Sequence, residues 1–408
     1  MSATTTSPES NQVSAPSPVE LTPDDYRRSL LGSTLQSLLA VLVALLLGGL
    51  LIAATDETVR ESASYFLARP GDTFTAMWDA ASSAYIAMFH GAVYNPHGSG
   101  PAGKLYPLTE TLTVATPLIL AGLGVALAFR TGLFNIGAQG QILIGATLAG
   151  YVGFAWQLPA GLHLLVVVVA GALGGAIWGG VVGLIKARTG AHEVILTIML
   201  NYIAINLVSW LLTLSTFQRE GSANPISPPI AETAMFPKLL GDGFRLHWGF
   251  VVAVVATVAV AWLLNRSTIG FELRAVGANP RAARTAGISV TKGFVVVMVI
   301  AGMLAGLAGT AQIAGTEHSL TVGIAASFGF DAITVALLGR SKPWGTFFAG
   351  ILYGAFRAGG VTMQTSTGTN IDIVLVVQSL IVLFIAAPPL VRAVFRLPAP
   401  GSRKVRAA

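Results

Sequence analysis

Apolar residues in this chain fall in long runs and lack the period of a soluble amphipathic fold. Ten runs reach the roughly 17 to 25 residues that cross about 30 Å of hydrocarbon as helix. They lie at 35–54, 111–129, 134–156, 162–185, 194–216, 247–264, 293–314, 321–339, 344–363 and 370–390. The pattern predicts an all-α, polytopic membrane helix bundle of about ten transmembrane helices, occupying residues 35–395. The stretch before it, 1–34, opens on residues rich in Ser, Thr, Pro and Ala that bury too little apolar surface to order a chain, and reads as a disordered tail. Because Asp24 and Asp25 precede the first run, that run reads as a retained span and not a signal peptide.

Orientation follows from the basic residues, since Lys and Arg are retained in cytoplasmic loops. With ten spans and the N-terminus inside, cytoplasmic segments hold 17 of the 24 Lys and Arg residues and external segments six, while Arg357 lies within a span. Both termini are then cytoplasmic, and 396–408 forms a basic cytoplasmic tail. Two long extracytoplasmic loops result, 55–110 and 217–246. In the first, Phe74, Met77, Trp78, Ala81, Ala84, Tyr85, Met88 and Phe89 recur at three and four, the signature of a helix along the outer interface. In the second, Pro225, Pro228 and Pro229 forbid a regular helix. That loop reads as a docking rim.

Composition agrees with a bilayer location. The 408 residues are 53% hydrophobic and 10% charged, with a mean hydropathy of +0.71, against roughly 25% charged in soluble domains. Nucleic-acid binding and most soluble enzyme classes are thereby set aside. The absence of cysteine excludes disulfides, thiolate metal sites and cysteine nucleophiles.

Two nucleotide-binding signatures match by letter only. Gly98 to Gly103 fits G-x-G-x-x-G, and Gly98 to Lys104 fits the start of a P-loop, but Leu105 stands where Ser or Thr would hold magnesium. A phosphate cradle also needs a preceding strand, and this loop lies outside the cell by the charge count. No ATP-hydrolysing site and no cofactor are expected in this chain. The six histidines show no ligand spacing and no hydrolase signature occurs, so no metal site or catalytic centre is expected.

Small and polar residues inside the runs are more informative. Gly171, Gly175, Gly179 and Gly183 repeat at four, as do Gly302 and Gly306, the spacing that lets helix backbones approach in lipid. Asn135, Gln139, Gln141, Asn201 and Asp331 lie within spans, where polar groups are costly. Gly137 and Gly140 among three amides predict a break in the helix. These residues fit either interhelical hydrogen bonds or a path for a polar, uncharged solute. Arg357 is expected to reach outward along its stem to Asp372. The basic loop 265–292 has Asn279 as N-cap, Pro280 at N1 and Gly287 as a stop, predicting a two-turn helix outside the membrane that docks on a cytoplasmic partner.

At these residues the chain resembles a known family. Leu133 to Ala146, His192 to Ala204, Gly270 to Gly287 and Gly329 to Gly339 occur in the order found in permease subunits of ABC importers of the ribose and branched-chain amino-acid superfamily. The first two runs look like the nucleoside-type (simple sugar) members. Those usually have Glu where this chain has Gln139 and Asn where it has His192. The resemblance implies a multi-pass protein of the bacterial plasma membrane that moves nucleosides or related ribosyl or sugar compounds inward by alternating access. It implies four partners besides the lipid bilayer: a second permease, paralogous or identical, two ATP-binding subunits carrying ATP and magnesium, and an external substrate-binding lipoprotein. Asn135, Gln139, Gln141, Glu193, Asn201 and Asp331 are the expected pathway residues. Arg274, Gly277, Asn279, Pro280, Arg281, Ala282, Ala283 and Gly287 are the expected ATPase-coupling residues, with Ala283 in the partner's groove. The alternative is an ion-coupled secondary transporter that uses Asp331 and Glu193 as proton sites.

Overall fold

A computed structural model describes Leu39 and residues 41–386. Both expected tails, and the outer residues of the first and last runs, lie outside the described residues. The helices are α1 (Val41–Thr55), α2 (Glu57–Ser64), α3 (Pro70–Ala92), α4 (Gly100–Arg130), α5 (Ala138–Ala155), α6 (Leu162–Thr189), α7 (Glu193–Leu211), α8 (Gly249–Arg266), α9 (Thr268–Ala278), α10 (Pro280–Thr285), α11 (Val290–Gln312), α12 (Phe328–Leu338), α13 (Pro343–Thr367) and α14 (Asp372–Ala386). Among the described residues the only β pairing is two isolated bridges. The chain forms a helical membrane bundle.

By length and hydropathy alone, five helices among the described residues can cross a bilayer: α4, α6, α7, α8 and α11 with its π-helical end at Ile313–Glu317. The pair α1 and α2, bent by 70°, adds a sixth. Polar content and broken helices keep the other expected spans below this measure. α5 has 18 residues but opens on Gln139 and Gln141, and α13 has 25 but carries Arg357 and a Thr-rich end. The run 321–339 departs most from expectation. Only Phe328–Leu338 is helical, 11 residues or about 16 Å of rise, so this element covers about half the hydrocarbon. The residues before it are held extended or turned by tertiary bonds. Ser227 Oγ accepts from the Leu320 amide, Ser227 N donates to the Leu320 carbonyl, and Ala326 takes a φ of 39°.

The glycine ladder is a backbone contact between α6 and α11. A methyl group on Gly175 would overlap the Gly302 carbonyl, and one on Gly306 the Gly171 carbonyl. α5 joins the same seam, since Gly145 lies against Gly306 and Gly309 against Ile142. Dispersion between such close backbones replaces the hydrophobic drive that lipid removes.

The helix expected at 73–92 is present as α3, with Phe74, Trp78 and Phe89 exposed and Ala84 and Ala87 buried. Its Tyr85 hydroxyl donates to the Leu45 carbonyl of α1 at 2.5 Å, and Gly91 abuts Thr362 of α13. The loop 217–246 is stitched to the end of α11 by main-chain bonds, Ile230 N to the His318 carbonyl at 2.9 Å and Phe236 N to the Ala314 carbonyl at 2.8 Å. Arg245 of that loop pairs with Glu110 of α4 at 3.0 Å. The Gly98 to Gly103 stretch joins the connection after helix α3 to the first turn of α4, with a helix and not a strand before it.

Candidate functional site

The site is built where two helices begin inside the bundle. After α4 the chain leaves helix for residues 131–137 and resumes it at Ala138, the break that the glycine and amide pattern predicts. Asn135 Oδ1 accepts from the Gly137 amide at 2.9 Å, and Asn135 and Gln141 exchange amide contacts at 3.2 and 3.4 Å. From α7, Asn201 donates Nδ2 to the Ile136 carbonyl at 3.0 Å and accepts from the Gly140 amide at 2.9 Å. Main-chain groups freed by the break are thus satisfied by side chains, as hydrocarbon requires. All four amide side chains, Gln139 included, are buried.

Gln139 performs the same service for the second break. It donates Nε2 to the Ala326 carbonyl at 2.6 Å and accepts at Oε1 from the Gly329 amide at 2.9 Å. One side chain in the first turn of α5 therefore caps the start of α12, and two helix N-termini, each with a partial positive charge, meet around a neutral amide. Gly329 must lack a side chain, because a methyl there would strike the Gln139 backbone. Trp178 of α6 lies close to Gly140, and its indole nitrogen is buried without a hydrogen-bond partner.

Asp331, in the first turn of α12, favourably placed for the helix dipole, accepts from Ser327 Oγ at 2.8 Å and pairs with Arg357 of α13 at 3.2 Å. The Arg357 guanidinium also lies 4.5 Å over the Phe328 ring. The expected pairing of Arg357 with Asp372 is therefore wrong. Breaking the run at 321–327 seats α12 against α13 with Asp331 beside Arg357, where a low dielectric rewards the shorter reach. The Asp331 and Arg357 side chains remain 23% and 34% exposed, an opening the four amides lack.

Glu193 sits elsewhere, at the start of α7. Lys186 reaches it at 2.7 Å from the end of α6, and the Phe134 amide donates to it at 3.4 Å. Both carboxylates that a proton-coupled mechanism would use are thus paired with cations.

In the 265–292 loop, Asn279 caps α10 as expected, its Oδ1 accepting from the Arg281 and Ala282 amides at 3.0 and 3.1 Å, and Gly287 ends it with a φ of 81°. Asn279, Pro280, Arg281, Ala282, Arg284 and Gly287 face outward, as does Arg274 on α9. Ala283 does not. It is buried against Val276 of α9 and Val290 of α11, so its expected place in a partner groove is corrected to the loop's own small core. Gly277 likewise turns inward, its Cα close to the Arg130 carbonyl. Sequence reasoning missed Ser327 and Trp178. The spacing of Ser327 four residues before an intramembrane acid was the available signal for the first; no signal marked the second.

Residues 108–386 match the family described as branched-chain amino acid transport system / permease component. The chain is 40% identical over 308 residues to the guanosine ABC transporter permease protein NupP of Bacillus subtilis, covering 75% of this chain and 87% of that one. It is 36% identical to the glucose ABC transporter permease protein TsgB13 of Haloferax volcanii, covering 69% and 76%. It is also 35% identical to the nucleoside ABC transporter permease protein NupB of Lactococcus lactis, covering 70% and 80%. The chain belongs to this permease family, as a multi-pass plasma-membrane subunit of an ABC importer.

Proposed function

We infer that this subunit carries nucleosides, or closely related ribosyl or sugar compounds, into the cell by alternating access. The observation that supports the substrate class most is the 40% identity to a guanosine permease over three-quarters of the chain. The path runs along the open face of α12 and α13, where Asp331, Arg357 and Ser327 offer donors and acceptors. Asn135, Gln139, Gln141 and Asn201 form its inner wall by fixing both helix breaks, and Glu193 anchors its cytoplasmic end. A partly open ion pair at this depth is costly against lipid. A second permease, identical or paralogous, therefore covers that face, and the path lies between the two.

Ten spans with both termini inside remain the topology that fits the basic loops. The outward residues of α10 rest on an ATP-binding subunit, which holds ATP and magnesium, and the rim of 217–246 receives a substrate-binding lipoprotein. The test is reconstitution of the complex in vesicles with labelled guanosine, adenosine, uridine, ribose and glucose. ATP-dependent uptake led by nucleosides is expected. Uptake driven by a proton gradient without ATP would favour the secondary transporter.

A further inference from the structure

At the cytoplasmic ends of α4, α8, α9 and α13, a cavity of about 310 Å³ is lined by Arg130, Arg274, Lys342, Asn265 and Trp344. Arg130 donates Nε to the Ser341 carbonyl at 3.0 Å and Arg274 donates Nε to the Gly270 carbonyl at 3.3 Å. Main-chain oxygens orient both guanidinium groups, and no acid among the described residues forms a salt bridge with them. Among the described residues, every salt bridge involves other cations. Glu272, the acid of α9, does not line the cavity. Three converging like charges in a half-enclosed space concentrate positive potential, and guanidinium forks match phosphate oxygens. The first turn of α13 adds main-chain amides of Trp344 and Gly345 that have no partner within the helix.

The surroundings say where the phosphate comes from. Trp344 and Phe348, one turn apart on α13, are 48% and 63% exposed. Trp262, near the cytoplasmic end of α8, is 61% exposed. Exposed tryptophans beside a basic loop mark the headgroup level of a membrane, and an apolar strip rising from Trp344 to Phe348 suits acyl chains. We propose that this cavity binds the phosphodiester headgroup of an anionic phospholipid of the inner leaflet, held by Arg130, Arg274 and Lys342. Its position joins α13, which forms the transport face with α12, to α4 and to α9, which leads into the coupling helix. The site is independent of the transported substrate.

The experiment uses the purified complex of permease and ATPase in detergent, titrated with short-chain phosphatidylglycerol, phosphatidylcholine or inorganic phosphate while the unfolding temperature is followed. Phosphatidylglycerol should raise that temperature saturably, and phosphatidylcholine should not. A cation near a charged lipid contributes about a factor of five. Lys342→Gln, in an exposed connection, should therefore weaken the effect about five-fold, and Lys342→Gln with Arg274→Gln about thirty-fold. Arg266→Gln, outside the cavity, should leave it unchanged. The proposal fails if both lipids act alike, if the double variant responds as the wild type does, or if inorganic phosphate reproduces the shift at the same concentration. It fails equally if the complex shows no response, which would assign the cations to an acidic surface of the ATPase.

Discussion

Replacing Gln139 by leucine isolates the role of one side chain that holds two helix starts. Leucine keeps the volume but leaves the Ala326 carbonyl and the Gly329 amide without their partner. An unpaired buried main-chain group costs about 1–3 kcal/mol, whereas interhelical side-chain bonds measured within a membrane average about 0.6 kcal/mol because the unfolded state finds other partners. The larger figure applies to this pair. Ala326 is held at a φ of 39° and Gly329 against the Gln139 backbone, so neither can rotate to a substitute. The sum is about 2–6 kcal/mol, enough to cut the yield of folded complex severely. Gln139→Glu is the informative companion. A neutral carboxyl can donate to Ala326 and accept from Gly329 as the amide does, whereas a carboxylate only accepts, so the loss should be small when the acid is protonated and grow as pH rises. Thermal unfolding of the complex in detergent, with nucleoside uptake in vesicles, reads both variants. A leucine variant that unfolds at the wild-type temperature and transports normally would refute the argument.

Three further outcomes are expected. Asp331→Asn or Arg357→Gln alone should lose about 1–3 kcal/mol, after allowing for the third of Arg357 left open; exchanging the two charges should restore part of the loss in thermal unfolding, and exchange of Arg357 with Asp372 should restore none. Arg281→Glu with Arg284→Glu should leave a folded permease with little ATP-driven uptake, whereas Ala283→Asp should expose the 265–292 loop to limited proteolysis, because that side chain enters the loop's own core. Just before α8, burial, followed by the nearby His318 and Arg245, pushes His247 down to about 4. Its neutral Nδ1 accepts from the Gly249 amide at the start of α8, so this contribution to stability is complete above the ordinary 6.5 and is lost as pH falls from there through about 4; His247→Asn, which caps without titrating, should flatten that part of the unfolding profile.

What the sequence disclosed and what it hid divide along one physical line. Features fixed within a few residues were legible: the Asn279, Pro280 and Gly287 signals of α10, the glycine ladder, and the break before Ala138, where glycines and amides crowd together. Features decided by a distant partner were not. The run 321–339 is apolar enough to be helical throughout, and its first third is diverted by bonds from Ser227 to Leu320 and from Gln139 to Ala326, across 93 and 187 residues. Arg357 had two acids within plausible reach by helix counting, and the diversion of that run chose between them. Ala283 was exposed by its place in a basic loop and buried by α9 and α11 folding over it.

The same line explains why amides and not charges occupy the inner wall. A helix that starts inside lipid must have its first amides and the preceding carbonyls satisfied, and only a side chain that both donates and accepts can serve both kinds of group. Asn201 and Gln139 each do so across separate elements. A carboxylate in either place would serve the amides and repel the carbonyls. The wall is thereby left neutral and its groups occupied, so along the proposed path the groups still open to a polar solute are Asp331, Arg357 and Ser327. If that is the division of labour, substituting the inner amides should alter assembly before specificity, and substituting Ser327 should alter the preference among nucleosides while leaving assembly intact.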